Sequence, residues 1–337
     1  MKKYHVYGIG NALLDLDFEV SVSTLDRLNI DKGVMTLIDE EKHHFLLEEL
    51  DGIKHLKACG GSVANTLFTL QQMGANTFYS CKIGNDDAGD FFYQDLRAQG
   101  IHTNLDTCKR DGVTGKCIVL VTPDADRTMN TFLGATATFS TEQLSEEALK
   151  YSEFLYIEGY LVASPTGREA SILARSMARK HHVKTAISLS DPNMVTYFRY
   201  GLQEIIDGQV DILFCNEVEA KLFTESDDIE QAKELLREYA NKFIITLGGR
   251  GCLLYDGNNF THIKPYKTNV IDTVGAGDVY AGAFLYGVTH GYDYVTCADL
   301  ANYAASKVVA KFGPRLSGNE IEEVCARIPR QQLAAKS

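Results

Sequence analysis

The sequence predicts an α/β fold built on a mostly parallel sheet with helices on both faces. After residue 140, short apolar segments alternate with amphipathic helical segments, and this βαβ pattern is typical of parallel sheets. Between about residues 101 and 134 the chain is rich in β-forming residues without an intervening helix, which predicts a hairpin in a separate small sheet. A length of 337 residues, 45% of them hydrophobic, is sufficient for a large core.

The N-terminal part of the chain is expected to contribute to both sheets. A first buried strand is predicted over residues 4–9, and apolar residues predict strands over 18–22 and 34–38 that pair with each other. Asp39 is positioned to cap the helix that follows. The other elements of this part are predicted helices over 40–50, 63–73 and 86–99 and a strand over 76–83.

The hairpin and the alternating region account for the rest of the chain. Hairpin strands over 114–121 and 127–132 are joined by the turn residues 123–126. The alternating region is predicted to contain strands over 154–158, 184–190, 212–216 and 243–247. Its predicted helices cover 166–181, 218–223, 229–241, 276–290 and 295–311. The last residues, about 328–337, are expected to form a polar tail.

Composition and charge limit the class of function. A formal net charge of −12 argues against a general affinity for nucleic acid or anionic membranes. The 8 cysteines form no CxxC pair, so a zinc site is not expected, and reduced thiols are typical of the cytoplasm. No apolar stretch has the length of a signal-peptide core or a membrane span. We therefore expect a cytoplasmic protein, which can still bind a small anionic ligand in a local pocket.

A turn of small residues at 272–278, Asp-Thr-Val-Gly-Ala-Gly-Asp, leads into the predicted helix 276–290. Glycines let the backbone approach a ligand, and a helix start directs unpaired N–H groups and the positive end of the dipole into the turn. Gly275, Ala276 and Gly277 are therefore a candidate anion site. Asp278 would repel a bound phosphate, but it could accept the proton of a hydroxyl that attacks this phosphate. The alternative is a helix start with a capping aspartate.

Polar residues also follow the first strand and open the helix at 63–73. Asn11 and Asp15 lie beyond a strand end, where amides and carboxylates suit the hydroxyls of a polyol, or bond to their own turn. The segment 8–13 lacks the third glycine of a dinucleotide fingerprint, so a nicotinamide cofactor is not expected. The N–H groups after Gly60 and Gly61, with Asn65 in the first helical turn, could hold a ligand oxygen, although a serine cap explains them equally well.

Two further segments suit a nucleotide and its metal ion. Asn216 and Glu219 lie on one face of a helix start and could hold a hydrated Mg²⁺ against phosphates, and a capping box explains the same spacing. Thr246, Gly248 and Gly251 belong to a strand that runs into a glycine-rich turn. Phosphates or a ribose could approach this turn, and the local alternative is a tight hairpin with the segment that follows. The P-loop pattern GxxxxGK[ST] is absent.

In this order along the chain, these segments resemble the PfkB (ribokinase-like) family of carbohydrate and nucleoside kinases. The resemblance covers nearly the whole chain, and its most specific part is DTVGAGD at 272–278. GNALLDL at 10–16 and KGVMTLID at 32–39 are most similar to adenosine kinases. The resemblance implies a single three-layer, Rossmann-like domain, 1–337, with a β-sheet lid formed by about 12–40 and 101–134. An exposed lid edge would allow subunits to pair, so a monomer and a homodimer both stay open.

The resemblance also implies ATP and Mg²⁺ as cofactors and a role for each candidate residue. Asp278 would be the catalytic base beside the anion hole, and Arg127, otherwise a solvated strand charge, resembles a lid arginine that reaches the phosphates. The ribose contacts would be Asn11, Asp15, Gly60, Gly61 and Asn65. The Mg²⁺–phosphate pair would be Asn216 and Glu219, and the ATP groove would include Thr246, Gly248, Gly251 and Asn302. The spacing of Asp272, Gly313 and Ser317 resembles that of a monovalent-cation loop for K⁺.

We therefore expect ATP-dependent phosphorylation of a primary hydroxyl on a ribose-bearing substrate, with adenosine, converted to AMP in purine salvage, as the first choice. Two departures leave base recognition open. Ala64 stands where animal adenosine kinases carry glutamine, and residues 188–193 mix features of adenosine kinases and sugar kinases. The alternatives are a kinase of free sugars such as ribose or fructose and a catalytically silent nucleotide or sugar sensor.

Overall fold

Strands and helices alternate along most of the chain in this computed structural model, which describes residues 2–33, 35–108, 110–124 and 127–328. The strands are β1 (Tyr4–Ile9), β2 (Leu13–Glu19), β3 (Met35–Leu37), β4 (His55–Gly60), β5 (Thr77–Ser80), β6 (His102–Thr103), β7 (Gly115–Val121), β8 (Arg127–Phe132), β9 (Ser152–Glu158), β10 (Lys184–Ser188), β11 (Ile212–Asn216), β12 (Phe243–Thr246), β13 (Cys252–Tyr255) and β14 (Phe260–Ile263). The helices are α1 (Val22–Leu28), α2 (Glu40–Glu49), α3 (Ser62–Gln72), α4 (Asp87–Ala98), α5 (Glu146–Lys150), α6 (Pro165–Lys180), α7 (Pro192–Ile206), α8 (Glu217–Thr224), α9 (Ile229–Leu236), α10 (Ala276–Thr289), α11 (Tyr294–Val308) and α12 (Gly318–Ala326).

The large sheet has nine strands in the order β14-β13-β12-β11-β10-β9-β1-β5-β6. Every pairing from β12 to β6 is parallel, and β13 and β14 extend one edge as an antiparallel hairpin. The prediction of a mostly parallel sheet in an α/β fold is therefore confirmed.

Helices cover both faces of this sheet, as the burial of β9 shows. Phe154 and Tyr156 belong to the core that includes α3, α10 and α11. Leu155 and Ile157 belong to the core that includes α6 and α7 on the opposite face. Because successive side chains of a strand point to opposite faces, a strand that is apolar throughout needs both layers.

A second sheet has five strands in the order β3-β8-β7-β2-β4. The predicted hairpin of β7 and β8 is confirmed as an antiparallel pair. The predicted lid ranges 12–40 and 101–134 contain β2, β3, β7 and β8, whereas β4 lies outside both ranges and β6 pairs with β5 of the large sheet. Whether this sheet moves as a lid stays a prediction.

The predicted strand at 18–22, paired with 34–38, is wrong. The strand lies at Leu13–Glu19, and Ser21 then caps α1 by accepting a hydrogen bond from the N–H of Thr24 at 3.3 Å. Leu14, Leu16 and Phe18 are buried and alternate with polar residues, so the two-residue period of a half-buried strand is present in the sequence and begins before residue 18. Strand β3 pairs with β8 instead. Val34, the turn residues 125 and 126, and the tail from 329 onward lie outside the described residues.

Several elements were not predicted, notably α7, the short strands β4, β6 and β14, and the helices α5 and α12. The α7 helix is capped by Asp191 and begins at Pro192, but Phe198 inside it has a non-helical φ of −128°. This kink interrupts the 3.6-residue period on which a sequence prediction depends. The predicted helix at 229–241 ends at Leu236.

The parallel strands bring their carboxyl ends to one edge of the large sheet. This edge carries Asn11 after β1, Glu158 on β9, Asn216 on β11 and Thr246 on β12. In open α/β sheets, ligands bind outside the carboxyl ends of the strands.

Within the described ranges, no helix combines the length and the apolar character that crossing a membrane requires.

Candidate active site

A cavity of about 410 Å³ lies between the carboxyl ends of the parallel strands and one face of the second sheet. Ten of the residues predicted from the sequence line it, and they come from segments spread over most of the chain. These residues are Asn11, Asp15, Gly61, Asn65, Asn216, Glu219, Thr246, Gly275, Gly277 and Asp278. The structure therefore brings the predicted acceptor, metal and anion segments together around one space.

Asp278 lies where the starts of two helices converge. The Ser62 hydroxyl donates a hydrogen bond to Oδ1 of Asp278 at 2.6 Å, and Nδ2 of Asn65 donates to Oδ2 at 3.0 Å. Helices α3 and α10 can approach this closely because Gly282, one turn after Asp278, has no side chain; a Cβ there would lie 2.7 Å from Cβ of Thr69. Both carboxylate oxygens are thereby held in place.

The environment of Asp278 suits a general base. Burial raises the pKa of its carboxyl group to about 6, and the hydrogen bonds from Ser62 and Asn65 limit this rise. A carboxylate with a pKa near neutrality binds a proton more strongly than an ordinary aspartate and is still ionised at pH 7. Asp278 can therefore accept a proton from a hydroxyl that enters the cavity.

The turn before α10 has the strained backbone that its glycines permit. Gly275, the N-cap residue, has a φ of 76°, and a Cβ there would lie 2.5 Å from Cβ of Pro314. Asp272 holds this turn, because its Oδ1 accepts a hydrogen bond from the N–H of Val274 at 3.0 Å and its Oδ2 accepts one from Gly313 at 2.9 Å. The N–H of Ala276 is bonded to the carbonyl of Thr273 at 3.2 Å, and Gly277 faces the cavity.

Arg127 connects the second sheet to the same turn. Its Nη2 lies 3.2 Å from Oδ2 of Asp17 on β2 and 3.1 Å from Oδ2 of Asp272. Only 8% of the arginine side chain is exposed, so the interpretation of Arg127 as a solvated strand charge is wrong. Arg127 is instead a buried cation next to the predicted anion-binding turn.

The segments that carry Asn11 and Asp15 pack against the two consecutive glycines. A Cβ on Gly60 would collide with the carboxylate of Asp15, and one on Gly61, where φ is 96°, would collide with the carbonyl oxygen of Asn11. Asn11 is held by its neighbours, since Thr136 Oγ1 donates to its Oδ1 at 3.1 Å. The two glycines therefore allow the segments of Asn11 and Asp15 to lie against the start of α3. The alternative of a serine cap is not observed, because no side chain caps this helix.

The charged groups around Asp15 shift the pKa of its carboxyl group in opposite directions. Burial and the nearby Asp17 raise its pKa to about 7, and Asp278 acts in the same direction. Arg315 and Arg127 lower it. A carboxylate in this position can accept hydrogen bonds from the hydroxyls of a ligand, provided that it stays ionised.

Glu158 was not identified from the sequence. It is fully buried at the end of β9, where Oε1 accepts a hydrogen bond from the N–H of Asn11 at 2.7 Å and Oε2 accepts one from Val63 at 3.0 Å. It thereby joins the end of β1 to the start of α3. The available signal was a glutamate directly after the apolar run 154–157 and directly before Gly159.

The free energy of unfolding is expected to fall as the pH rises from about 4.5 to about 8, because burial raises the pKa of Glu158 from 4.5 to about 8. In this window the folded protein binds a proton that the unfolded chain has released, so raising the pH favours unfolding. Urea denaturation of the ligand-free protein at several pH values measures this slope. A Glu158→Gln variant should be less stable and show a shallower slope; a parent slope of the opposite sign would contradict the argument.

Asn216 and Glu219 form the capping box of α8. The N–H of Asn216 donates to Oε2 of Glu219 at 2.9 Å, and the N–H of Glu219 donates to Oδ1 of Asn216 at 2.9 Å. Burial raises the pKa of Glu219 to about 7. Both residues line the cavity as well, so capping does not preclude a contact with a ligand.

Of the four predicted ATP-groove residues, one lines the cavity and three do not. Thr246 lines the cavity, whereas Gly248 and Gly251 form the tight turn between β12 and β13, which is the hairpin alternative. Gly251 has a φ of 87°. Asn302 is buried and donates through Nδ2 to the carbonyl oxygen of Lys264 at 3.1 Å.

The predicted cation-loop residues are only partly brought together. Asp272 and Gly313 are hydrogen-bonded, but Ser317 caps α12 and its hydroxyl donates to Oε2 of Glu320 at 2.7 Å. Because the Asp272 carboxylate already pairs with the guanidinium of Arg127, this donor set does not fit a monovalent cation well, and we assign no step to such an ion.

The second sheet gives the cavity a largely apolar wall. Strand register places Asp15, Cys117, Thr131 and Leu37 in one row across four strands, and Met129 pairs with Met35 in the next row. We call the apolar members of this face the apolar wall; they are Leu13, Met35, Leu37, Cys117, Met129 and Leu133. Asp15 therefore marks the boundary between this wall and the polar groups around Asp278.

A parallel sheet whose strand ends meet a glycine-rich helix start, a buried carboxylate and polar side chains that can accept hydrogen bonds from hydroxyls has the groups that a kinase of small hydroxyl-bearing molecules needs. The family model described as "pfkB family carbohydrate kinase" matches residues 30–321, and the chain belongs to this family. It is an ATP-dependent phosphotransferase that acts on a hydroxyl group, with ATP as co-substrate.

The chain is similar to proteins named adenosine kinase and to one named a probable sugar kinase. The structure of adenosine kinase from Sinorhizobium meliloti is 34% identical, with a TM-score of 0.87 over 95% of this chain and 98% of that one. The structure of a probable sugar kinase protein from Rhizobium etli CFN 42 is 31% identical, with a TM-score of 0.89 over 97% and 100%. Adenosine kinase 1 of Arabidopsis thaliana is 27% identical over 91% of this chain and 94% of its own.

Proposed function

We propose that this enzyme transfers the γ-phosphate of ATP to the 5′-hydroxyl of a nucleoside, with adenosine as the first candidate. The observation that carries the proposal is the composition of the cavity. The polar cluster of Asn11, Asp15, Asn65 and Asp278 suits the hydroxyls of a ribose, and the apolar wall begins directly beside Asp15.

An apolar wall of this kind favours a heteroaromatic base over a second face of hydroxyls. A free sugar carries hydroxyls around its whole ring, and those pressed against Met35, Leu37 and Met129 would lose hydrogen bonds to water without replacement. A purine has apolar faces that thioether and aliphatic side chains contact favourably. The similarity to relatives named adenosine kinase supports this choice, and the similarity to one named a sugar kinase keeps the sugar alternative in view.

In the proposed reaction the chain's own groups position and polarise the reactants. The acceptor hydroxyl approaches Asp278, which takes its proton as the oxygen bonds to the γ-phosphorus; the bond from this phosphorus to the bridging oxygen breaks, and ADP leaves. The start of α10 at Gly275 and Gly277 stabilises the negative charge on that phosphate. Arg127, which lies on the second sheet and pairs with Asp272, is a cation beside this turn, and we propose that the sheet acts as a lid that carries it.

Mg²⁺ is part of the proposal, and Asn216 and Glu219 would hold it. Within the described part of the chain, no group of three or more histidine, cysteine, aspartate or glutamate side chains is placed to bind a metal ion. Mg²⁺ commonly keeps several waters and takes one or two protein ligands together with substrate phosphates. Glu219 fits such an arrangement, because each of its oxygens accepts one hydrogen bond from Asn216 and retains a second lone pair. The ion would neutralise charge between the phosphates of ATP.

A panel of adenosine, other nucleosides, ribose and fructose with ATP and Mg²⁺ tests the substrate class. We expect kcat/KM for adenosine to exceed that for either free sugar by at least about a hundredfold, because only a substrate that carries a base makes favourable contacts with the apolar wall. A coupled assay for ADP formation, with direct detection of AMP, measures it. Turnover of free sugars without turnover of any nucleoside would overturn the proposal, and binding without turnover would favour a sensor.

A wall variant provides the matched control for this panel. Met129→Gln keeps the length of the side chain and introduces a polar amide into the apolar wall. We expect KM for adenosine to rise by about tenfold and any turnover of ribose to stay unchanged. An equal effect on both substrates would show that the wall does not contact a base.

A further inference from the structure

Arg315 joins three elements at the back of the cavity. Its guanidinium lies on the ring of Phe68 in α3, 3.3 Å from the ring centroid. Its Nη1 lies 2.9 Å from Oδ2 of Asp95 in α4, and its Nη2 donates a hydrogen bond to the carbonyl oxygen of Cys59 in β4. Strand β4 is an edge of the second sheet.

The backbone around Arg315 is fixed to the anion-binding turn. The N–H of Gly313 donates to Asp272 at 2.9 Å, and Pro314 occupies the space beside Gly275. Leu316 is buried in the core. Residues 313–316 therefore form a short strut with one side against the turn that begins α10.

The other end of this strut reaches the acceptor side of the cavity. Cys59, which receives the hydrogen bond from Arg315, directly precedes the Gly60-Gly61 pair on which Asp15 and Asn11 rest. Arg315 also acts on Asp15 through its charge. The charged groups around Asp15 are Asp17 on the same strand, Arg127 on β8, Asp278 on α10 and Arg315, and the two arginines oppose the two aspartates.

An arginine in this position costs folding free energy, which a purely structural role does not explain. Its Nε is buried and has no hydrogen-bond partner among the described residues. Leaving a buried donor unpaired costs free energy, and an apolar side chain would fill the space on Phe68 without that cost. A charged side chain at this position therefore suggests a role in the cavity, both for the charge and for the hydrogen-bond donors of the guanidinium.

We propose that Arg315 is a positioning residue that aligns the acceptor-binding strand end with the anion-binding turn and presents a positive charge to Asp15. The hydroxyl held at Asp15 and the phosphate held at Gly275 must meet in line, and Arg315 fixes the distance between the two segments. The inference depends on the proposed acceptor site around Asp15, but it does not depend on which acceptor binds there.

Arg315→Met tests this role, because methionine can keep the apolar contact with Phe68 while the charge is lost. With the acceptor that the parent enzyme uses best, we expect KM for the acceptor to rise about tenfold and KM for ATP to stay within about twofold. Acceptor binding needs the ionised form of Asp15, whose pKa should rise without the arginine. The pH at which kcat/KM for the acceptor is half-maximal should therefore move up by about one unit.

Two further variants separate charge from geometry. Arg315→Lys keeps the charge but loses the planar fork, so KM for the acceptor should rise while the pH midpoint stays near that of the parent. Asp95→Asn weakens the orientation of Arg315 without disturbing its contact with Phe68, and a smaller rise in KM for the acceptor is expected. If Arg315→Met fails to fold, these two variants decide the question.

Arg327→Met is the matched control, because Arg327 also lies over aromatic rings, 4.3 Å from the centroid of Tyr303, but contacts neither the turn nor β4 in the described structure. It should lower the melting temperature at most. The proposal is overturned if Arg315→Met behaves like this control, or if it changes KM for ATP and for the acceptor equally with no shift of the pH midpoint. Failure of adenosine as a substrate would leave this comparison intact.

Discussion

Replacing Asp278 with asparagine is expected to lower kcat by about a thousandfold, within the range of 10² to 10⁴ that general-base groups contribute. Asparagine has almost the same shape and can still bond to Ser62 and Asn65, so KM for both substrates should change little. Steady-state kinetics with saturating ATP and acceptor measure the effect. A variant with kcat within about tenfold of the parent would show that Asp278 is not the base.

The pH dependence of kcat provides an independent check on the same residue. A base works only when it is deprotonated, so kcat should be lost as the pH falls through about 6, the pKa of Asp278. Ser62→Ala removes a hydrogen bond that stabilises the carboxylate, so the acid limb should move to higher pH. Ser145→Ala, at the N-cap of the distant α5, is the control and should leave the profile unchanged. An unmoved limb in Ser62→Ala would assign the titration to another group.

Local signals were sufficient to predict the large sheet and the glycine-rich turn at the start of α10. The strand at 212–216 and the helix that begins at Ala276 were predicted because burial on both faces and a glycine-rich helix start are properties of consecutive residues. The convergence of ten predicted residues on one cavity follows from the parallel sheet, which collects strand ends at a single edge.

The parts that could not be predicted depend on contacts between distant segments. Glu158 becomes important only because its oxygens meet the N–H groups of Asn11 and Val63, and neither partner is near it in sequence. Arg127 looked solvated because Asp17 and Asp272, which bury it, lie on other elements. Strand β2 differs from these two cases, because the alternation of Leu14, Leu16 and Phe18 with polar residues is a local signal and the prediction began the strand too late. Functional groups break local rules where tertiary structure compensates for them.

Replacing Gly275 with alanine is expected to lower kcat by about 10² to 10³, the loss that follows when a donor of an anion hole is displaced. The φ of 76° at this position disfavours any residue with a Cβ by about 1–2 kcal/mol. In addition, the new Cβ would lie 2.5 Å from Cβ of Pro314, so the turn must move away from the strut at 313–316. The movement displaces the N–H groups at the start of α10 that are proposed to hold the phosphate, and kcat measured at saturating ATP reports this displacement.

Gly291→Ala separates backbone strain from damage to the anion site. Gly291 follows the other end of α10, has a φ of 80° and would place its Cβ in open space. The same strain should lower the free energy of unfolding by about 1–2 kcal/mol while kcat stays close to that of the parent. If Gly275→Ala loses stability to the same extent but retains its kcat, the start of α10 does not stabilise the transferred phosphate, because a displaced donor must slow the reaction whenever charge develops next to it.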